Sequence, residues 1–276
     1  MTLDLRQALN AISDVVTNRP LPLREFDQIY MKLGDMVVHA EFVARRFDKG
    51  RLVFVGDGDA VGLSVAHLVN ERVLEYGPRE ITVLDFDERM VNSVTRFAEE
   101  SGFAESAKAV LYNVVDPIPE GTAETFDGFH INPPWGQHNN GESVVVFLER
   151  AAALTKVGGS GVVVIADDAT RAWTNNVLAR TQKAALELGL VLEQMIPSLH
   201  SYHLDDAPEL RSCAMVFRKI KDSGLVSGRL SAERLEDFYG RSQALRIQYV
   251  REVATIERGR ASDRTYRFEE LVNSGC

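Results

Sequence analysis

The feature that most narrows the fold of this chain is the stretch RLVFVGDGDAVGLSVAHLV at residues 51–69. There an apolar run (52–55) meets a Gly/Asp turn and passes into Val61, Val65, Leu68 and Val69 at helical spacing. This reads as strand, tight turn, helix, and the unit recurs. ITVLDFD reads as a strand followed by a helix over 90–100; KAVLYNV and FDGFHI are strands; 144–156 is a helix and GVVVIA a strand. Alternation of this kind predicts an α/β fold with a mostly parallel sheet covered on both faces. After a helix over 175–188, the strands GLVLEQMIPSL and RSCAMVFRK are joined by a polar loop at 200–210 with no helix between them. They are therefore expected to run antiparallel.

On either side of this core the pattern changes. Leu3, Leu5, Leu9, Ile12, Val15 and Val16 fall at roughly helical spacing, and Asn18-Arg19-Pro20-Leu21-Pro22 ends the helix. Beyond Lys221, Ser231 can cap a long charged helix with Phe238, Leu245, Tyr249, Val253 and Ile256 on one face. That helix is expected to pack back on the domain or to form a homodimer. The expected division is a helical cap over 1–50, a Rossmann-like domain over 51–220 and a helical extension over 221–276.

Bulk properties limit the partners. A chain of 276 residues, 45% hydrophobic, can bury one full core. The net charge of -9 repels phosphate backbones at long range, which argues against extended nucleic acid. Only Cys213 and Cys276 are present, far apart, so no disulfide framework or zinc site is indicated and a reducing, cytoplasmic setting is expected. No apolar run approaches the eighteen or so residues of a membrane span.

The chemistry is expected at the strand ends. Gly56-Asp57-Gly58-Asp59 occupies the first βα turn, where an open parallel sheet receives a nucleoside. Carboxylates stand where a pyrophosphate would be repelled, so a cationic sulfonium suits this turn better than a dinucleotide. Asp85, closing the second strand, is placed to accept from both ribose hydroxyls. Asp87 can do the same or cap the next helix, and Asn113 or Asp116 can reach an adenine amino group or serve a turn.

Asn132-Pro133-Pro134-Trp135 follows the strand FDGFHI on the same edge. Two prolines remove backbone donors and leave carbonyls and the Asn132 side chain to accept from an attacking amine, while Trp135 offers a ring face or a core contact. Asp59 and Asp57 are the candidate bases toward that amine; Asp57 is expected to hold the amino group of the donor, which leaves Asp59 as the base unless it caps the helix that follows, and Asp27 can form a second acidic wall. His138-Asn139-Asn140-Gly141 reads as a loop beside this motif, and Asp167-Asp168 as rim carboxylates. His200, His203 and Asp206 share one loop, with no second cluster to support a metal site.

The strand order is similar to that of class I S-adenosylmethionine-dependent transferases. A more specific resemblance rests on Arg24-Glu25-Phe26-Asp27-Gln28-Ile29-Tyr30, the Gly56–Asp59 turn, Leu84-Asp85-Phe86-Asp87-Glu88-Arg89 and Pro117-Ile118-Pro119. In that order they resemble the branched-chain polyamine synthases, the N4-bis(aminopropyl)spermidine synthases, over residues 19–218. The resemblance implies transfer of an aminopropyl group from decarboxylated S-adenosylmethionine to a small amine, without a metal. Four positions depart from the family pattern: Gly58 replaces an aspartate, Asn113 replaces another, and Asn132 and Trp135 flank the prolines where acidic residues stand. NPPW itself resembles the acceptor motif of N-methyltransferases that use S-adenosylmethionine, which is the second reading. A non-catalytic ligand-binding module, with Asp59 turned away from the donor pocket, is the third.

Overall fold

β1 (Arg51–Val55) is buried along four of its five residues, as a strand covered on both faces must be. In the computed structural model, which describes residues 3–222, 224, 228–239, 246–254 and 266–271, it lies inside a seven-stranded sheet. The other strands are β2 (Glu80–Asp85), β3 (Ala107–Leu111), β4 (Phe126–Ile131), β5 (Thr155–Ala166), β6 (Leu190–Ser201) and β7 (Arg211–Lys219). Their order is β3-β2-β1-β4-β5-β7-β6. The first five are mutually parallel, and β7 runs antiparallel to both β5 and β6. The expected antiparallel pair is present, but the reversed strand is inserted inside the sheet and β6 takes the edge.

Register determines which residues share the carboxyl edge. Val55 pairs with Leu84, and Phe54 with His130. Gly56, Asp85 and Asn132 therefore emerge side by side where the chain leaves β1 toward β2 on one side and β4 on the other. Such a switch point is where open α/β sheets bind ligands.

The helices are α1 (Leu5–Asn18), α2 (Leu33–Arg46), α3 (Val61–Asn70), α4 (Glu88–Glu100), α5 (Glu142–Leu154) and α6 (Ala172–Glu187). Asp4 caps α1 by accepting from the amides of Arg6 and Gln7, each at 3.0 Å. The buried stripe of α1 is Ala8, Ala11, Ile12 and Val15, whereas Leu5, expected inside, is 59% exposed. α2 was not anticipated. Its buried Met36, Val37, Ala40, Val43 and Ala44 pack at helical spacing, and Asp35 and Arg45/Arg46 sit at the ends that the helix dipole favours. α5 stops at Leu154 because Thr155 and Lys156, expected in the helix, already belong to β5.

The tail corrects the expected long helix. α7 covers only Ala232–Tyr239, and β8 (Ile247–Glu252) and β9 (Tyr266–Glu270) then form an antiparallel ladder. Tyr249 lies in β8 and Val253 just beyond it; Leu245 and Ile256 lie outside the described residues. The reason is tertiary. The Val250 amide donates to the Phe86 carbonyl at 3.1 Å, and Ile247 and Val250 bury against Leu23. α7 is held to its own domain by Arg234, which pairs with Glu142 and Glu149 of α5, so no extended helix is offered for a dimer among the described residues. Among them no helix is long and apolar enough to cross a membrane.

Candidate active site

The first turn is built on a glycine that no other residue can replace without strain. Gly56 has φ +72°, and a Cβ there would stand 2.8 Å from the Phe147 ring. The next residue is turned inward. Asp57 accepts from the amides of Val61 and Gly62, each at 2.9 Å, and so caps α3; it lines neither cavity of the site. Burial pushes its carboxyl well above the usual range against the pull of those amides. The expectation that Asp57 holds the donor is corrected: the first turn of α3 takes both of its oxygens.

Asp85 joins two turns. Its carboxylate accepts from the Asp57 amide at 2.8 Å and from the Asp87 amide at 2.9 Å. Burial raises its pKa to about 7, the neighbouring charge of Asp87 adds to this, and the two amides and Arg89 oppose it. Asp85 still lines the larger cavity. Asp87 does not. It caps α4 through the Arg89 amide at 3.1 Å and grips the Arg89 guanidinium at 2.9 and 2.6 Å, with both side chains buried. Of the two roles open to Asp87, the cap is the one observed.

Asp59 faces the cavity from the other end of the turn, so it is not turned away from the site. It does not cap α3, a role taken by Asp57. Its Oδ1 accepts from the Met31 amide at 2.7 Å, its Oδ2 from Asn132 Nδ2 at 2.9 Å, and Arg19 Nη1 lies 3.8 Å from Oδ1. Burial raises its pKa to about 6, and Arg19, the Met31 amide and Asn132 lower it in that order. Arg19 is itself buried, donates to the Asp59 carbonyl at 2.7 Å and stacks 3.9 Å from the Tyr30 ring centroid. No sequence signal marked Arg19, since its partner lies forty positions away.

The acceptor motif is more constrained than expected. Trp135 Nε1 donates to Asn132 Oδ1 at 3.3 Å, and because an indole nitrogen only donates, the Asn132 amide has one orientation. Both ends of that amide are thus engaged within the protein, not left free for an incoming amine. Trp135 is 8% exposed and meets the Tyr202 ring edge-on at 4.9 Å, so it serves core and cavity together. Pro133 and Pro134 both line the cavity, and the Pro134 carbonyl accepts from the Ser143 hydroxyl at 2.8 Å.

Two cavities meet here. The larger, about 400 Å³, contains Gly58, Asp59, Asp85, Asn132, Trp135 and Trp173 in its wall; the smaller, about 110 Å³, is lined by Leu84, Tyr112, Asn113 and Val114 with Tyr239 and Ile247. Gly56, Phe86, Phe147 and Asp27 belong to both. Asp27 sits in the left-handed region (φ 56°) after the 3-10 turn Arg24–Phe26. It keeps solvent contact, yet crowding on the cavity side raises its pKa against the pull of His138 and Arg24.

Asn113 and Asp116 are turned to the tail. Asn113 Nδ2 donates to the carbonyls of Ile247 (3.3 Å) and Gln248 (2.7 Å), while Asp116 accepts from Gln248 and pairs with Arg229 at 3.5 Å. Asn113 therefore lines the smaller cavity with its amide nitrogen already used, and Asp116 lies outside both cavities. This corrects their expected adenine contact: the Asn113 oxygen accepts from the Val115 amide at 3.1 Å, its nitrogen is used by β8 carbonyls, and the Asp116 carboxylate is taken by the side chains of Gln248 and Arg229.

His200 joins a buried chain with the unanticipated His39 and His130. Its Nδ1 meets Ser212 Oγ at 2.8 Å and its Nε2 meets His39 Nδ1 at 3.0 Å, and His39 Nε2 meets His130 Nε2 at 2.8 Å. Burial holds all three imidazoles below their usual pKa. Among the described residues no group of three or more His, Cys, Asp or Glu is arranged to hold a metal ion. Asp167 ties the end of β5 to β6 by accepting from the Ser198 amide at 2.8 Å, Asp168 serves a local turn through the Thr170 amide at 2.9 Å, and Arg171 and Trp173 line the rim that they were expected to form.

Comparison with known proteins places this geometry. Residues 7–272 match the family described as the branched-chain polyamine synthase A C-terminal domain. The N(4)-bis(aminopropyl)spermidine synthase of Thermococcus kodakarensis is 26% identical over 221 residues, which cover 79% of this chain and 59% of that relative. The crystal structure of the branched-chain polyamine synthase from Thermus thermophilus, in complex with N4-aminopropylspermidine and 5′-methylthioadenosine, superposes with a TM-score of 0.70 at 19% identity. That match covers 84% of this chain and 69% of the other. An rRNA N(6)-adenosine-methyltransferase of Caenorhabditis elegans is 21% identical over 63% of this chain and 78% of its own.

Proposed function

Because the chain belongs to the branched-chain polyamine synthase A C-terminal domain family, we propose that it transfers an aminopropyl group from decarboxylated S-adenosylmethionine to the nitrogen of a small amine. The observation that carries the reading is the carboxylate floor of the donor turn. Asp59 and Asp85 line the larger cavity there, both buried, and the α3 amides that would welcome an anion are already taken by Asp57. A sulfonium and an ammonium suit such a floor, whereas the α-carboxylate of S-adenosylmethionine would meet like charge.

In this reading the adenosine lies across Phe86 and the smaller cavity, with its ribose hydroxyls toward Asp85. The acceptor nitrogen attacks the propyl carbon bound to sulfur. The C–N bond forms as the C–S bond breaks, the sulfonium electrons return to sulfur, and 5′-methylthioadenosine leaves. The acceptor, an ammonium at neutral pH, first gives one proton to Asp59 and so gains the lone pair it attacks with; the Asp59 pKa of about 6 is close to what a general base needs at neutral pH. Most of the rate gain comes from holding nitrogen, carbon and sulfur in line. Trp135 and Asn132 contribute by fixing Asp59, with Pro133 as a rigid wall and Asp27 as a further attraction for cations.

The N-methyltransferase reading rests on NPPW at the end of β4. Incubation with either donor and an amine panel, read by mass, separates the two. The expected outcome is an aminopropyl gain with equimolar 5′-methylthioadenosine from the decarboxylated donor alone; a methyl gain from S-adenosylmethionine would sink the proposal.

A further inference from the structure

Both oxygens of Asp59 are held by groups that rest on a single buried side chain, Tyr202. The Met31 amide donates to Oδ1 at 2.7 Å, and Met31 is bridged to the Tyr202 backbone. On either side of that bridge the Lys32 and His203 amides donate to the carbonyls of Ser201 and Tyr30, each at 2.9 Å. Asn132 Nδ2 donates to Oδ2 at 2.9 Å; Trp135 fixes that amide, and the Trp135 ring meets the Tyr202 ring edge-on at 4.9 Å. Tyr202 is 2% exposed and lines neither cavity, so its influence on the site runs through these two arms.

The Tyr202 hydroxyl is anchored from behind. It meets Ser212 Oγ at 2.8 Å, and from there the chain runs through His200 and His39 to His130, two residues before Asn132. Burial keeps the three imidazoles uncharged at neutral pH, so each ring carries one proton and each link sets the next. Two orders satisfy the links. With the protons pointing from Tyr202 toward His130, the Nδ1–H of His130 alone lacks a partner among the described residues. In the reverse order the Tyr202 hydroxyl proton has no acceptor among them, and the bare His130 Nδ1 has no donor. The first order leaves fewer buried groups unpaired.

Taking Asp59 as the base of the proposed transfer, we propose that Tyr202 is its positioning residue, and that Ser212, His200, His39 and His130 hold the Tyr202 hydroxyl in the first of these orders. The contacts close on themselves. They start beside Asn132 on β4, cross α2, β6 and β7, and return through Tyr202 and Trp135 to Asn132. The base is thereby tied to four elements of the core and not to its own turn alone.

Tyr202→Phe and Ser212→Ala each remove one hydroxyl from the same link, and melting curves would check that both fold. Each should lower kcat for aminopropyl transfer about tenfold with the donor KM within about threefold, because a displaced base loses rate and not binding. The double variant should be no worse than either single one. Carboxylate NMR should show Asp59 titrating about half a unit or more above its native value of about 6 in each variant, since the Met31 amide and Asn132 both hold that value down. Long-range nitrogen NMR of the native protein should show Nε2–H at His200 and His39 and Nδ1–H at His130. The reverse tautomers would overturn the order of the chain. An unchanged kcat, an unchanged Asp59 titration, or losses that multiply in the double variant would overturn the positioning role. A native protein that transfers no aminopropyl group counts against the reaction, and the Asp59 titration then decides the role of Tyr202 by itself.

Discussion

Removing the positive charge behind Asp59 should shift the pH at which the proposed aminopropyl transfer switches on. Arg19 Nη1 lies 3.8 Å from Asp59 Oδ1, with both side chains almost wholly buried. At an effective dielectric constant near 20, unit charges at that separation attract by roughly 4 kcal/mol. At 1.36 kcal/mol per pKa unit, this is an upper bound of about three units on what Arg19 does to Asp59. The Arg19→Gln variant admits some water, so a rise of about one to three units is expected from the starting value of about 6. As the proposed base, Asp59 would work only when ionised, so the acid limb of kcat/KM should move to higher pH by the same amount. Arg19→Lys keeps the charge and should hold the limb within about half a unit while losing the stacking on Tyr30. The assay is aminopropyl transfer between pH 5 and 9, with carboxylate NMR titration of Asp59 alongside. Breaking a buried pair also costs about 3–5 kcal/mol of stability, so melting curves must show folded protein at each pH. An acid limb that stays in place in folded Arg19→Gln would refute both the base and its tuning.

Other outcomes follow from the same geometry. The Asp85 pKa of about 7 lies above its ordinary value of 3.8, so the folded state holds the proton longer than the unfolded chain. Its contribution to stability is complete below about pH 4 and is lost as pH rises to about 7, worth roughly 4 kcal/mol; denaturant titrations should show this slope in the native protein and not in Asp85→Asn. Binding of the cationic donor favours the ionised carboxylates and should release protons near pH 6, seen as a buffer-dependent heat. Gly56→Ala adds a left-handed penalty of about 1–2 kcal/mol to a 2.8 Å contact with Phe147; loss of donor binding is expected, and Phe147→Leu in the same chain should relieve the contact but not the backbone strain. Asn113→Ala leaves the Gln248 carbonyl without its partner, and hydrogen exchange in β8 should accelerate by an amount matching about 1–3 kcal/mol.

The sheet could be read from the chain because its strands are buried on both faces and show as unbroken apolar runs, as at 52–55 and 162–165. The positions of Gly56, Asp85 and Asn132 at one edge then followed from order alone. The tail could not be read this way. Phe238, Tyr249 and Val253 suit one helical face, and what decides against it is a hydrogen bond from Val250 to Phe86, far away in sequence. Within GDGD the two aspartates look equivalent, and only the entry angle of α3 makes Asp57 its cap and turns Asp59 to the cavity. Arg19 read as part of a helix-ending Asn-Arg-Pro because its burial depends on α2, which was itself unforeseen. Asp87, Asn113 and Asp116 were assigned by position after a strand, and position does not say which polar atoms the rest of the chain has already used.

The placement of β7 between β5 and β6 has a consequence for the growing chain. β5 ends at Ala166 and its antiparallel neighbour begins at Arg211, while β6 is made first and, among the described residues, pairs in the sheet with β7 alone. At about 5–20 residues per second, the free side of β5 waits roughly 2–9 seconds during synthesis with its amides and carbonyls unpaired. During that interval Val162, Val163, Val164 and Ile165 form an exposed β-rich edge, the kind that pairs with another nascent chain. Completion of Arg211–Lys219 closes it and gives β6 its sheet neighbour in one event. The yield of native protein should therefore depend on how quickly translation passes through 167–210, a stretch that also supplies Arg171, Trp173, Leu204 and Leu210 to the cavity wall.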